Sequence, residues 1–442
     1  MIRSSALVLA LAACGDKPHA LPDAPIVAID AAIDAPPSCT APTGAGTMHA
    51  SISAPETWKA VDSPHIIPFD IELTAKLTIE PCAVVRIAVK KTVTVSPGGV
   101  FDAAGAIGQP VTIEAKDAGM AWVSIRSLGG AISLVHTNIS GGGDPLGSVT
   151  AYAGAVHLQT GTLHVDDVDI AGSLSQGVYI NGPTGFDATS QNLRVHGSAG
   201  YPVEVYARIL GSVPTGTYTG NTYDAIAIAG SGGGVIADQT MHDRGVPYHV
   251  GTGMDGGRMD VDSLIAGQVA TLTIEPGVTM QFPAGGALNI SVAGGPPAAQ
   301  GALIAIGTVA KPIVFTSDRG GASMAGDWLG IGFGGTVDSH SVMQRAKVQF
   351  AGGATVSGSN SCPYPGRVGP NYAAIRIFGP ALTQFITLTE IPQSGRDGID
   401  RGWRADLQPD FLPTNMIAAA NGCKQSMPAT AANVCPPTPP CP

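Results

Sequence analysis

Three short phrases recur in the same order along this chain, and that recurrence restricts what it can fold into. Leu77-Thr78-Ile79-Glu80-Pro81 returns as Leu272-Thr273-Ile274-Glu275-Pro276. Gln109-Pro110-Val111-Thr112-Ile113 returns as Lys311-Pro312-Ile313-Val314-Phe315. Trp122-Val123-Ser124-Ile125 returns as Trp328-Leu329-Gly330-Ile331. One shared phrase is chance, but an ordered set signals an internal duplication. Each phrase alternates apolar with polar or small residues and is cut off by Gly, Pro or Asp. Period two with frequent turn residues specifies β-strand and not helix.

The rest of the chain repeats this pattern. Ile71, Leu73, Leu77 and Ile79 alternate, as do Leu163, Val165, Val168 and Ile170, and then Leu193, Val195, Val203 and Val205. Charged residues make up 13% of the 442 residues, about half the usual share, while Gly (59) and Pro (35) are both abundant. Such a composition disfavours helices and favours short strands joined by turns. Short runs of this kind pair coil upon coil, each backbone meeting its hydrogen bonds in the coils above and below. The expected class is all-β.

The run from Leu272 through Phe282, the run Gly307 to Ser317 and the run Gly326 to Phe333 together resemble a phrase of bacterial envelope proteins of pectate-lyase-like architecture. Gly220 to Ile226, followed by Pro247-Tyr248, resembles the lead-in to their coils. The resemblance implies a right-handed single-stranded parallel β-helix, a solenoid over residues 51–420 with two repeat copies in one continuous body. It implies little about activity, because one scaffold carries many functions.

Residues 1–13 read as a signal peptide, with Arg3 ahead of the apolar run Ala6 to Ala13. Leu11-Ala12-Ala13-Cys14 resembles a bacterial lipobox. The resemblance implies cleavage after Ala13, lipid on Cys14, and a place on the bacterial cell envelope, at the outer membrane or cell surface. Residues 14–50 read as a linker, where Asp23-Ala24-Pro25 and Asp34-Ala35-Pro36 recur without apolar periodicity. Extended, it reaches on the order of 100 Å. Residues 421–442 form a Cys/Pro-rich tail whose prolines end the pairing.

With Cys14 assigned to lipid, six of the 7 cysteines remain as disulfide candidates: Cys39, Cys82, Cys362, Cys423, Cys435 and Cys441. The pairing expected is Cys39 with Cys82, Cys362 with Cys423, and Cys435 with Cys441. No Cys-x-x-Cys occurs, which argues against structural zinc and thioredoxin-like redox chemistry.

The formal charge is −10 and no Lys/Arg run is present, so nucleic acid is not an expected partner. Two Gly-x-Gly-x-x-Gly strings, from Gly251 and from Gly330, lie in Gly-rich sequence without a following helix. No cofactor is expected. Asp255, Asp260 and Asp262 cluster beside Gly256-Gly257 as oxygen donors for calcium, but their spacing matches no known loop. Asp at strand turns also bonds local backbone.

Another polar group sits mid-chain. Aligning Val168-Asp169-Ile170 with Leu193-Arg194-Val195 gives an offset of 25 residues (194 − 169), a plausible single coil. Asp169 and Arg194 then face outward on adjacent rungs, with Asp166 and His196 on the same strip and His164 and Asp167 beside them. The expected function is a non-catalytic surface role: adhesion or contact with a polysaccharide or another cell-surface protein, with membrane attachment through Cys14. The alternative is a polysaccharide lyase or glycoside hydrolase. By the resemblance, such an enzyme would use outward carboxylates and a basic residue, here Asp166, Asp169, Arg194 and His196.

Overall fold

The computed structural model describes residues 38–144, 154–229, 234–251, 256–292, 300–354, 372–377, 383–401 and 409–426. From Ser38 onward they belong to one unit. Residues 1–13, Cys14, Asp255, Cys362, Cys435 and Cys441 lie outside the described residues, as does most of the tail. The architecture is all-β with long parallel sheets, and every pairing between described strands is parallel.

Each turn of the chain adds one rung to each of three ladders. The first joins Glu56–Trp58, Lys76–Ile79, Val100–Ala104 and the middles of Ser124–Ser140 and Gly154–Ala171. The second starts at Thr47–Met48 and climbs through His65–Ile67, Val84–Ile87 and Val111–Ala115. It continues through the ends of both long strands to Gln191–His196 and Gly216–Thr217. The third runs from Ile71–Leu73 through Thr92–Val95, the starts of the long strands, Gln176–Ile180, Val203–Tyr206 and Ile226–Ala229. It carries on through Tyr248–Val250, Thr279–Phe282, Ile313–Ser317 and Ala346–Val348 to Met416–Ile417.

Among the described residues the second ladder ends at Gly216–Thr217. A different one opens at the bridge of Val235 to Val261 and runs through Ala287–Ile290, Gly330–Phe333 and Ala373–Ile377 to Asp397–Asp400. The alternation seen in the sequence fixes what each rung buries. Leu77, Ile79, Val85, Ile87, Val93 and Val95 are wholly buried, while the residues between them face outward.

The recurring phrases occupy matched places. Lys76–Ile79 pairs with Val100–Ala104 as Val269–Ile274 pairs with Gln300–Ile306. Val84–Ile87 pairs with Val111–Ala115 as Thr279–Phe282 pairs with Ile313–Ser317. Trp122 donates its indole N–H to the Ser140 carbonyl (2.9 Å), and Trp328 donates to that of Gln349 (2.7 Å). The turn after each first phrase is left-handed, at Cys82 (φ 64°) and at Gly277 (φ 97°). Glycine meets that requirement without steric cost, whereas Cys82 is held there by its disulfide to Cys39.

That bond ties the leading residues onto the first coils. Thr47–Met48 also pairs with His65–Ile67, so the paired body reaches back into the span 14–50 read as linker. Cys423 is disulfide-bonded as well. Beside the first coils, Trp58 packs against the rings of His49 (4.0 Å) and His65 (5.1 Å), which also touch each other, and it donates to Glu56 Oε1 (2.7 Å).

Two histidines in the body are poised to sense acid. Burial, and then the neighbouring His65, push the pKa of His49 down against the opposing pull of Glu56. Burial pushes that of His157 down against its bond to Asn181 Oδ1 (2.9 Å). The folded state therefore prefers both neutral, while the unfolded chain takes up protons below its value of 6.5. Their contribution to stability is complete above that value and is lost as the pH falls through the lowered ones. Thermal midpoints should fall as the pH is taken below 6.5, with a shallower fall for His157→Gln. A parallel pH profile for the variant would contradict this.

Candidate functional site

The second ladder carries a polar groove on its outer side. Its rim is the turn through Gly108 and Pro110, which precedes Val111–Ala115. Its floor is built by two columns of residues stacked rung on rung. Asn138, Asp169, Arg194 and Thr217 are successive register partners and form one column. They face outward because Val168, Ile170, Leu193 and Val195, their neighbours in sequence, are buried. Val168 pairs with Leu193 and Ile170 with Val195, as the 25-residue offset requires.

The other column is a corner. His136, Asp167 and Asn192 sit at φ 42°, 54° and 53°, the left-handed region. Asn, Asp and His are the side-chain-bearing residues most tolerant of it. One left-handed residue per coil turns the chain from the first ladder into the second. This aims three polar side chains along the groove edge, and the depression between the columns has a volume of about 800 Å³.

Carboxylates meet basic side chains throughout. His136 Nδ1 lies 2.7 Å from Asp167 Oδ2. Asp169 Oδ1 lies 3.1 Å from His196 Nε2 and 3.5 Å from Arg194 Nε. The contacts to Asp169 are near in distance but are not aligned hydrogen bonds. On such an exposed face each is worth at most about 1 kcal/mol, so they fix side-chain positions more than they hold the fold together. Asp166 lies on the other side of the corner, where its Oδ1 accepts from Gln191 Nε2 (3.1 Å). His164 is there too, 3.6 Å from Asp187, whose carboxyl is held below the usual range by hydrogen bonds from Thr189.

The structure thus brings Asp169, Arg194 and His196 together and separates Asp166 from them by one corner. Asn138 and Asn192 escaped the sequence reading, and His136 reads there as a lone surface histidine without ligand spacing. The signal for Asn138 was available, because Thr137-Asn138-Ile139 repeats the alternation of Val168-Asp169-Ile170. Carboxylates, a guanidinium and amides in adjacent rungs offer acceptors and donors to a hydroxyl-rich ligand.

Elsewhere, Asp260 Oδ1 takes bonds from Arg258 Nε (2.8 Å) and Asn289 Nδ2 (2.9 Å), and Asp262 is buried. Among the described residues no cluster of three or more His, Cys, Asp or Glu is arranged to hold a metal ion. Nor is any helix among them long and apolar enough to cross a membrane. Comparison with protein-family models, with curated proteins and with solved structures finds no match.

Proposed function

We propose that this chain is a right-handed, single-stranded parallel β-helix with two repeat copies, anchored by lipid at Cys14 to the bacterial cell envelope, where it grips a polysaccharide without cleaving it. The observation that carries the reading is the stacked column of Asn138, Asp169, Arg194 and Thr217 beside the corner of His136, Asp167 and Asn192. Rungs spaced about 4.8 Å apart present polar groups at a regular interval, which suits a linear polymer rich in hydroxyls. A lyase or hydrolase would need a carboxyl free to move a proton. Asp167 is already engaged by His136, and Asp169 lies against Arg194 and His196.

Asp169→Ala and Arg194→Ala should each weaken retention on an immobilised polysaccharide by about tenfold, the value of one charge-assisted hydrogen bond. The thermal midpoint should stay nearly unchanged, and no reducing ends should be released. If both variants bind like the parent, the strip is only a solvated face. If reducing ends appear and vanish with Asp169→Ala, the lyase or hydrolase reading replaces this one. Binding to a purified surface protein but to no glycan would transfer the groove to a protein partner.

Anchoring has its own test. Cys14→Ser should move the protein out of the detergent phase or stall its processing, since stable attachment takes two or more acyl chains. Unchanged partitioning would sink the lipid assignment.

A further inference from the structure

The second repeat carries a groove on the same frame as the first. Pro312 precedes Ile313–Ser317 as Pro110 precedes Val111–Ala115. Ile313 pairs with Ala346 and Val314 with Lys347, as Val111 pairs with Thr137 and Thr112 with Asn138. One coil later Lys347 pairs with Glu390, as Asn138 pairs with Asp169. Arg345 (φ 50°) and Leu388 (φ 52°) take the left-handed corner that His136 and Asp167 occupy in the first repeat. Pro312, Arg345, Lys347, Leu388 and Glu390 enclose a depression of about 460 Å³.

The frame is kept and the chemistry is changed. The guanidinium of Arg345 has no side-chain partner among the described residues. Lys347 Nζ stands 3.9 Å from Glu390 Oε2, the outer limit of an ion pair. Apolar surface lies beside these cations: Val309 on the rim is 90% exposed and Leu388 is 51% exposed. Leu388 is the anomaly. A branched aliphatic residue is strained in the left-handed region, where Gly or Asn fits, and half-exposure gives it little burial in return. Such strain, without a packing reason, is the kind of outlier that marks a functional position.

We propose that this groove binds an anion carrying a medium-length aliphatic chain, an acyl carboxylate or an alkyl phosphate. Arg345 and Lys347 receive the head group, and Val309, Pro312 and Leu388 receive the chain. A guanidinium matches either head with paired N–H donors. Glu390 disfavours a densely charged polyanion in the same place. This site is independent of the polysaccharide reading of the first groove.

Titration calorimetry of the full-length mature protein tests it, with decanoate below its micelle concentration, decyl phosphate, butyrate and decyltrimethylammonium as probes. Decanoate and decyl phosphate should bind saturably, butyrate at least about tenfold more weakly, and the cation not at all. Arg345→Gln should weaken decanoate binding by about tenfold. Leu388→Asn should weaken it too, yet raise the thermal midpoint, because Asn accepts the left-handed corner. A purely structural role for Leu388 would lower that midpoint. Asp169→Ala should leave decanoate binding untouched, which separates this site from the first groove. The proposal is overturned if neither long-chain anion binds, if Arg345→Gln binds like the parent, or if butyrate binds as tightly as decanoate. With binding established, competition by phosphatidylglycerol vesicles would assign the head group to a membrane lipid. Its absence would assign a free amphiphile.

Discussion

Trp328→Ala should cost about 3–5 kcal/mol, the usual loss for emptying a large aromatic site in a packed interior. Trp328 is fully buried, and its ring stacks on Phe282 at 4.3 Å with the planes 5° apart. Its indole N–H also reaches the Gln349 carbonyl on the next coil, so one side chain spans two rungs. Alanine removes the stack, leaves a cavity between coils and strips that half-buried carbonyl of its donor. Trp328→Phe should keep most of the packing and lose only the hydrogen bond, about 1–2 kcal/mol. Because neighbouring coils support one another, the loss should spread to adjacent rungs and be seen as faster hydrogen exchange there. Urea denaturation followed by exchange checks both points. A loss below about 1 kcal/mol for Trp328→Ala would mean the tryptophan is not the inter-coil wedge described.

Breaking the Cys39–Cys82 bond should be nearly as costly, but locally. It closes a loop of sequence separation 43. Chain-entropy reasoning gives roughly 4 kcal/mol for such a loop. Among the described residues the first rung of the second ladder, Thr47–Met48, pairs with His65–Ile67 alone, so it should come free first. Cys39→Ser should therefore expose the residues around Thr47 to limited proteolysis while the later coils stay protected. At the other end of the bond the backbone adds a second effect. Cys82 lies at φ 64°, so Cys82→Gly should be milder than Cys82→Ala. Equal cost for the two, or global unfolding of Cys39→Ser, would contradict this account.

Much of the architecture is legible in the sequence because period two maps directly onto what each rung buries. Val168, Ile170, Leu193 and Val195 declare both their burial and their mutual register. The corners are harder to read. A single left-handed residue such as Asp167 carries no pattern, yet it decides that Asp166 leaves the strip on which Asp169 sits. The end of the second ladder at Gly216–Thr217 and the opening of another at Val235 are also silent, because both halves use the same alternation. Identity fades at the second groove for a related reason. Pro312 stands 202 residues after Pro110 (312 − 110), whereas Glu390 stands 221 after Asp169 (390 − 169). Turn insertions shift the count while the pairing stays matched. His157 reads as a surface residue by its polarity, but the structure buries it beside Tyr179 at 5.1 Å.

Both grooves depend on one claim: that outward residues at matched positions of successive rungs within each repeat are lateral neighbours. Oxidative cross-linking of introduced cysteine pairs, located by peptide mass spectrometry, tests it most directly. Neighbouring rungs lie about 4.8 Å apart, within the range a disulfide spans. The pair Asn138→Cys with Asp169→Cys should close in the first repeat. The pair Lys347→Cys with Glu390→Cys should close in the second. Asp169→Cys with Val195→Cys should not, since one side chain faces out and the other in. Failure of the second pair, or equally efficient closure of the mismatched one, would contradict the register on which the account rests.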